Sequence, residues 1–279
     1  MSKIIKHSYT IATFLVIVFF LSSCNLGTKS NSISTFEKIK QEKVLNVGYV
    51  IYAPIVKKDP NSKEVSGHFV DAMRCIAAEM DVKVNFYEAD WSTFSAGLQS
   101  KKYDVCIAPT YSTIKRSLAV SFTNPIIYIG SSAVIKKSDI GKYKTIQDFN
   151  NANTKVVVIQ GEGNHEFAKR ELPKCNLRTL SSSNMVLPMV EVASKNADVA
   201  LTDFYTAKKF IENNPNLTML SNEPFDLLPI GWSVRNDDIE LLNFLNNAID
   251  YLETTGKMKQ WEQNYDAHWV KRKRDYITN

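Results

Sequence analysis

Between Val44 and Pro109, strand-like apolar runs alternate with amphipathic helical ones, and this alternation restricts the fold more than any other feature of the chain. Val44–Val50 (VLNVGYV) reads as a strand. Gly67–Met80 places Val70, Met73, Ala77 and Met80 at spacings of three and four, the repeat of a helix that buries one face. Val82–Tyr87 (VKVNFY) alternates like a strand, and Ser92 can cap a helix that carries Phe94 and Leu98. Tyr103–Pro109 (YDVCIAP) is a short buried strand. The resulting βαβαβ order is that of a parallel, doubly wound sheet.

A second round follows. Val156–Ile159 is an all-β-branched strand that runs into Gly161-Glu162-Gly163 and then a helix through Phe167 and Leu172. Ser183–Lys195 (SNMVLPMVEVASK) reads as a helix that contains Pro188 or begins just before it. Val199–Leu201 is a strand ending at Thr202-Asp203, with helix again over Tyr205–Asn213. Asp237 and Asp238 are read as caps of a long helix with Leu241, Leu245, Ala248 and Leu252 on one face. Gly256 stands where its C-terminal cap belongs, and a final helix carries Met258, Trp261 and Tyr265.

The 279 residues, 44% apolar and 23% charged, are enough for two modest α/β lobes. A formal charge of +5 is too small and too dispersed to suggest nucleic acid, and Lys271-Arg272-Lys273-Arg274 reads as a solvated tail. The N-terminal segment stands apart. Lys3 and Lys6 precede the unbroken apolar run Ile11–Leu21, which is short for a membrane span and right for the core of an export signal. Leu21-Ser22-Ser23-Cys24 then resembles a bacterial lipobox. That resemblance implies cleavage before Cys24, lipidation of its thiol, and a mature charge of 5 − 2 = +3. Residues 24–43 then read as lipidated Cys and tether, polar at first (NLGTKSNSIST). Cys75, Cys106 and Cys175 match no metal spacing and read as buried small side chains, with a Cys75–Cys106 bridge left open. His68 and His165 are isolated and read as surface or cap residues.

Several motifs occur together in a telling order. They are Tyr52-Ala53-Pro54, Gly67 with Asp71 and Ile76-Ala77, and Tyr103-Asp104-Val105. Ser112-Thr113 follows with Arg116, then Val120-Ser121-Phe122-Thr123 with Pro125, Asp198-Val199, Thr202-Asp203, and Leu241 to Gly256. This ordered set resembles the extracellular solute-binding proteins of polar amino-acid ABC importers, from about Val44 to Trp269. The resemblance implies the two-lobed α/β type 2 periplasmic-binding-protein fold, with doubly wound mixed sheets and two hinge crossings. Residues 1–23 are then the signal peptide, residues 44–129 with 234–279 form lobe 1, and residues 130–233 form lobe 2. The crossings fall near Tyr128–Ser132 and Gly231–Ser233.

The same resemblance implies the site. An amino acid carries a carboxylate and an ammonium, which a closed cleft must match with a planar cation and an anion. Arg116 follows a strand end and takes the implied role of carboxylate clamp; Asp203 ends a strand of the other lobe and takes the ammonium. The loop Gly161–Asn164 offers backbone N–H groups at a helix start. Tyr111, Thr113, Glu162 and Gly163 complete the polar candidates, and Tyr52 and Trp91 are candidates to pack on the ligand. Two departures stand out. Glu162 and Gly163 replace the small hydroxyl pair that usually follows this Gly, and Tyr111 stands where Ser or Thr is usual. Glu162 and Asp203 together hint at a ligand with extra positive charge, although Glu162 also suits a helix cap.

The implied function is a lipid-anchored receptor, in the periplasm or at the cell surface, for a small solute such as an amino acid. Its partners are the permease subunits of an ABC importer and the membrane, through the anchor. A monomer is expected, with no catalytic residues, cofactor, metal or nucleic acid. Two alternatives share the fold: a sensory lipoprotein without a transporter, and an enzyme resembling cyclohexadienyl dehydratase. Against the enzyme, Thr206 stands where those proteins carry an acid three positions past the second-lobe Asp. No G-x-S-x-G hydrolase motif is present.

Overall fold

The computed structural model describes residues 33–267. The export segment, Cys24, the first part of the expected tether and the basic tail lie outside the described residues. The elements, in chain order, are α1 (Thr35–Glu42), β1 (Val44–Tyr49), β2 (Lys57–Lys58), β3 (Val65–Ser66), α2 (His68–Glu79) and β4 (Lys83–Glu88). Next come α3 (Phe94–Gln99), β5 (Val105–Tyr111), α4 (Ile114–Ser117), β6 (Ser121–Phe122) and β7 (Ile127–Lys136). The insert continues with β8 (Lys155–Ile159), α5 (Gly163–Glu171), β9 (Asn176–Leu180), α6 (Leu187–Ala193), β10 (Val199–Asp203) and α7 (Phe204–Glu212). It closes with β11 (Leu217–Met219), β12 (Phe225–Val234), α8 (Ile239–Thr254) and α9 (Lys257–Asn264).

A single hydrogen-bonded sheet runs through both lobes in the order β4-β1-β5-β12-β7-β10-β8-β9. In lobe 1, β1 lies parallel to β4 and β5; in lobe 2, β8 lies parallel to β9 and β10. The long strands β7 and β12 pair antiparallel in the middle, with Ile230 opposite Ile127 and Leu228 opposite Ile129. The register of this pair shifts between Phe225 and Leu228. These two strands carry the chain across and coincide with the crossings implied near Tyr128–Ser132 and Gly231–Ser233.

The largest core lies under lobe 1 and takes in Ile159 and Met185 from lobe 2, and two smaller cores lie on the faces of the lobe 2 sheet. Lobe 1 packs α2, α8 and α9 residues on its sheet, with Trp232 buried edge-on against Phe69 at a centroid distance of 5.6 Å. Lobe 2 buries Val156 and Val158 on one face and Val157 and Ala200 on the other, which is why β8 reads as a continuous β-branched run.

Some expectations change. The tether reading extended to residue 43, but Thr35–Glu42 is helix, because Phe36 packs on Phe244 at 4.8 Å and Ile39 is buried. His68 is buried at the start of α2, not on the surface. Cys75, Cys106 and Cys175 are all free thiols, and burial pushes the Cys106 thiol up to about 12. Asp238 precedes α8 but makes no capping bond. It pairs instead with Arg235 at 2.8 Å and accepts from Thr35 Oγ1 at 2.5 Å.

Candidate ligand-binding site

The strand ends of both lobes meet at a cleft. One hollow of about 1170 Å³ is lined by Trp91, Ser112, Arg116, Gly161, His165 and Asp226, among others. A second, of about 720 Å³, is bounded by Pro54 and Tyr265 from lobe 1 and by Tyr205, Lys209 and Asn213 from lobe 2. The lobes touch across the cleft. Gly161, at φ +79°, lies so close that a Cβ there would stand 2.8 Å from the Ser92 Cα. The Arg116 Nη2 donates to the Gly161 carbonyl at 2.7 Å, and Lys115 Nζ pairs with Glu166 Oε2 at 2.7 Å.

Arg116 follows the end of β5, where Thr113 Oγ1 caps α4 by accepting the Arg116 N–H at 3.3 Å. The other terminal nitrogen, Nη1, donates to the Tyr111 carbonyl at 3.2 Å. Both guanidinium ends therefore hold backbone carbonyls, one in each lobe. Burial lowers the Arg116 pKa, opposed by the charges of Glu162, Tyr111 and Glu166.

Glu162 precedes α5 and is only 4% exposed. It caps the helix: Oε2 accepts the Asn164 N–H at 2.7 Å, and Oε1 accepts from the Asn164 side-chain Nδ2 at 3.2 Å. Burial pushes its carboxyl up to about 7; the Asn164 donors and Arg116 oppose the rise, and Asp203 adds to it. The neighbouring Gly161 N–H is held by His165 Nδ1 at 3.2 Å. Asp203 ends β10, is 1% exposed, and caps α7 through Oδ1, which accepts the Thr206 N–H at 2.8 Å. Its Oδ2 is buried without a hydrogen bond. Burial raises the Asp203 pKa, against the donors of Thr206 and Tyr52.

Three aromatic rings close the site. Tyr52 and Trp91 meet edge to face at 6.2 Å. The Tyr52 hydroxyl lies within electrostatic reach of Asp203 but outside hydrogen-bond geometry. Burial and then Asp203 raise its pKa well above the ordinary tyrosine value. The Tyr111 ring crosses to lobe 2 and lies against Gly163, where a Cβ would stand 1.9 Å from Tyr111 Cδ2 and Cε2. The two sequence departures are thus one device: glycine at 163 makes room for tyrosine at 111. The structure brings Tyr52, Tyr111, Glu162, Gly163 and Asp203 together, with Arg116, Thr113 and Trp91 bordering the same cleft. Asn164, Ser112 and His165 were missed as site residues. Asn164 and Ser112 keep buried polar atoms without a hydrogen bond; their positions, at the end of the Gly161–Asn164 loop and in the Ser112-Thr113 motif, were the signal that could have found them. No group of His, Cys, Asp or Glu arranged for a metal ion occurs among the described residues.

Residues 45–268 match the family model of the bacterial extracellular solute-binding proteins, family 3, and the chain belongs to that family. Among relatives, the arginine-binding protein 1 of an Escherichia coli ABC transporter is 25% identical over 80% of this chain and 90% of its own. The L-cystine-binding protein TcyJ of the same organism is 22% identical, over 82% and 84%. Among solved structures, an ancestral amino acid-binding protein described as a precursor of cyclohexadienyl dehydratase superposes with TM-score 0.73 and 29% identity, over 83% of this chain and 99% of that one. A substrate-binding protein of an amino acid ABC transporter from Streptococcus pneumoniae, bound to L-arginine, gives TM-score 0.72 and 25% identity, over 83% and 98%. These relatives are binding proteins, and the type 2 two-lobed fold is shared. Among the described residues no helix is long and apolar enough to cross a membrane.

Proposed function

We propose that this chain is the extracytoplasmic receptor of an ABC importer, anchored through lipid on Cys24, and that it captures a small solute of the amino-acid class by its positively charged nitrogen. The observation that carries this reading is the Asp203 carboxylate. It lies buried at a strand end, with one oxygen spent on capping α7 and the other without a well-formed hydrogen bond, near the Tyr52 hydroxyl. An ammonium placed there would complete that carboxylate and rest against aromatic surface. The relatives named for arginine and cystine support a ligand of this size. Arg116 enters as a wall of the cleft that joins the Tyr111 and Gly161 carbonyls of the two lobes.

The test is calorimetric titration of wild type and Asp203→Asn with the twenty amino acids and their amines. Loss of a buried charge partner costs about 2–5 kcal/mol, so the variant should lose roughly thirtyfold or more in affinity for whatever binds. A folded Asp203→Asn protein that binds within about threefold of wild type would refute the ammonium contact; that is under about 1 kcal/mol. For the anchor, Cys24→Ser should abolish labelling by radioactive fatty acid, and equal labelling of both proteins would refute lipidation.

A further inference from the structure

The cleft is short of donors for an anion and rich in acceptors for a cation. An arriving carboxylate would look for N–H groups at the strand ends, and the protein has already engaged several of them. The Asn164 N–H is taken by Glu162, the Gly161 N–H by His165, and the Thr206 N–H by Asp203. Arg116 turns Nη1 to the Tyr111 carbonyl and Nη2 to the Gly161 carbonyl. Where the resemblance implies small hydroxyl groups, the Tyr111 ring lies against Gly163 and fills the space.

The acceptors are the reverse case. Asp203 Oδ2 is buried without a well-formed hydrogen bond, and beyond its cap on α7 the carboxylate meets only a weak contact from the Tyr52 hydroxyl. Asn164 directs its Nδ2 at Glu162, which fixes the amide orientation and leaves Oδ1 as a second buried acceptor without a bond. Glu162 and Asp203 set two carboxylates against the single guanidinium of Arg116, and the nearby Lys115 is already paired with Glu166. Tyr52, Trp91 and Tyr111 add π faces, which attract cations. A zwitterion would have to bring its own carboxylate up against two others inside a low-dielectric site.

We propose that the cleft selects an organic cation without a free α-carboxylate: an amine, guanidine or amidine of amino-acid size. This rests on the receptor reading above and names the class of its ligand. The cationic nitrogen is held by Asp203 Oδ2 and Asn164 Oδ1 within the three rings, and the bound cation favours the ionised form of Glu162, which then adds a second negative charge.

The experiment is calorimetric titration of the purified protein with matched pairs that differ only by the carboxylate: agmatine against arginine, cadaverine against lysine, histamine against histidine. Glutamine serves as a neutral control. The expected result is that, in the tightest-binding pair, the decarboxylated member binds at least tenfold more tightly than its parent. A parent that binds equally or more tightly, or within tenfold, overturns the inference and leaves the receptor reading intact. Binding of glutamine with none of the amines has the same meaning. No binding by any of the seven compounds overturns the inference, and the receptor reading then stands or falls on the twenty-amino-acid titration above. As an internal check, Glu162→Gln should narrow the agmatine–arginine ratio by about tenfold or more; an unchanged ratio removes Glu162 from the explanation and with it the claim of a doubly anionic site.

Discussion

Glu162 shows how one side chain serves two demands at once. Its oxygens cap α5, yet the cap buries the carboxyl and raises its pKa from 4.5 to about 7. The linkage sign follows directly. Between those two values the folded state holds a proton that the unfolded state has released, so stability is full below 4.5 and is lost as pH rises through about 7. Glu162→Gln cannot ionise, and it should therefore be more stable than wild type at pH 8, by about 1–3 kcal/mol, and gain nothing at pH 4. Urea unfolding across that range checks this; parallel profiles for the two proteins would remove the argument. A second residue-scale prediction concerns Gly163. An added Cβ meets the Tyr111 ring at 1.9 Å, so Gly163→Ala should cost about 1–3 kcal/mol by overpacking. Tyr111→Ser should relieve most of that cost in the double variant. Additive costs would show that the ring and the glycine are not coupled. Glu162, Gly163 and Tyr111 were each visible in the sequence as departures from a pattern. Their complementarity was not, because residues 111 and 163 meet only when two lobes close.

At the scale of elements, hydrophobic period predicted most helices and the parallel strands β1, β4, β5, β8 and β10, since β1, β5, β8 and α8 each satisfy one packing rule locally. The antiparallel strands β7 and β12 carried no such period, and among the helices α1 was missed. Its sequence, TFEKIKQE, carries too few apolar residues to be read as helix by pattern alone, and it is held by distant partners. Phe36 rests on Phe244 of α8, and Thr35 joins a buried cluster around Arg235. Arg235 is 6% exposed and binds four segments together. Its Nη1 donates to the carbonyls of Leu98 and Tyr103, and its Nη2 reaches Thr35 Oγ1 and Asp238. Asp104 lies 3.5 Å away. Removing one partner from such a buried set is costly, and Arg235→Ala should lose about 3–5 kcal/mol of stability. Arg235→Lys should recover little, because an ammonium cannot reproduce the fork that reaches two carbonyls and a carboxylate. Denaturant titration decides it, and a loss below about 1 kcal/mol for the alanine variant would show that the cluster is not a joint.

Across the whole molecule, two lobes share one sheet through β7 and β12, and polar as well as packing contacts reach across the cleft. Lys115–Glu166 spans it, but Lys115 is 74% exposed at its side chain, and an exposed pair contributes about 1 kcal/mol at most. The Arg116 bond to the Gly161 carbonyl is better protected, though a single charge-assisted bond is still worth only about 1.5–3 kcal/mol. On the reading proposed above, the ligand adds to closure, because its cation meets Asp203 when both lobes surround it. The irregular register of β12 between Phe225 and Leu228 gives the crossing pair a place to absorb the backbone change. Small-angle scattering should accordingly give a smaller radius of gyration with saturating ligand than without. Lys115→Ala should leave that contraction in place and weaken binding by less than about fivefold, since an exposed pair carries no more. Arg116→Ala should bind more weakly and contract less, because it removes the one buried bond that Arg116 makes between the lobes. If Lys115→Ala abolishes contraction while Arg116→Ala preserves it, the surface pair rather than the buried guanidinium governs closure, and the order of energies argued for this cleft is reversed.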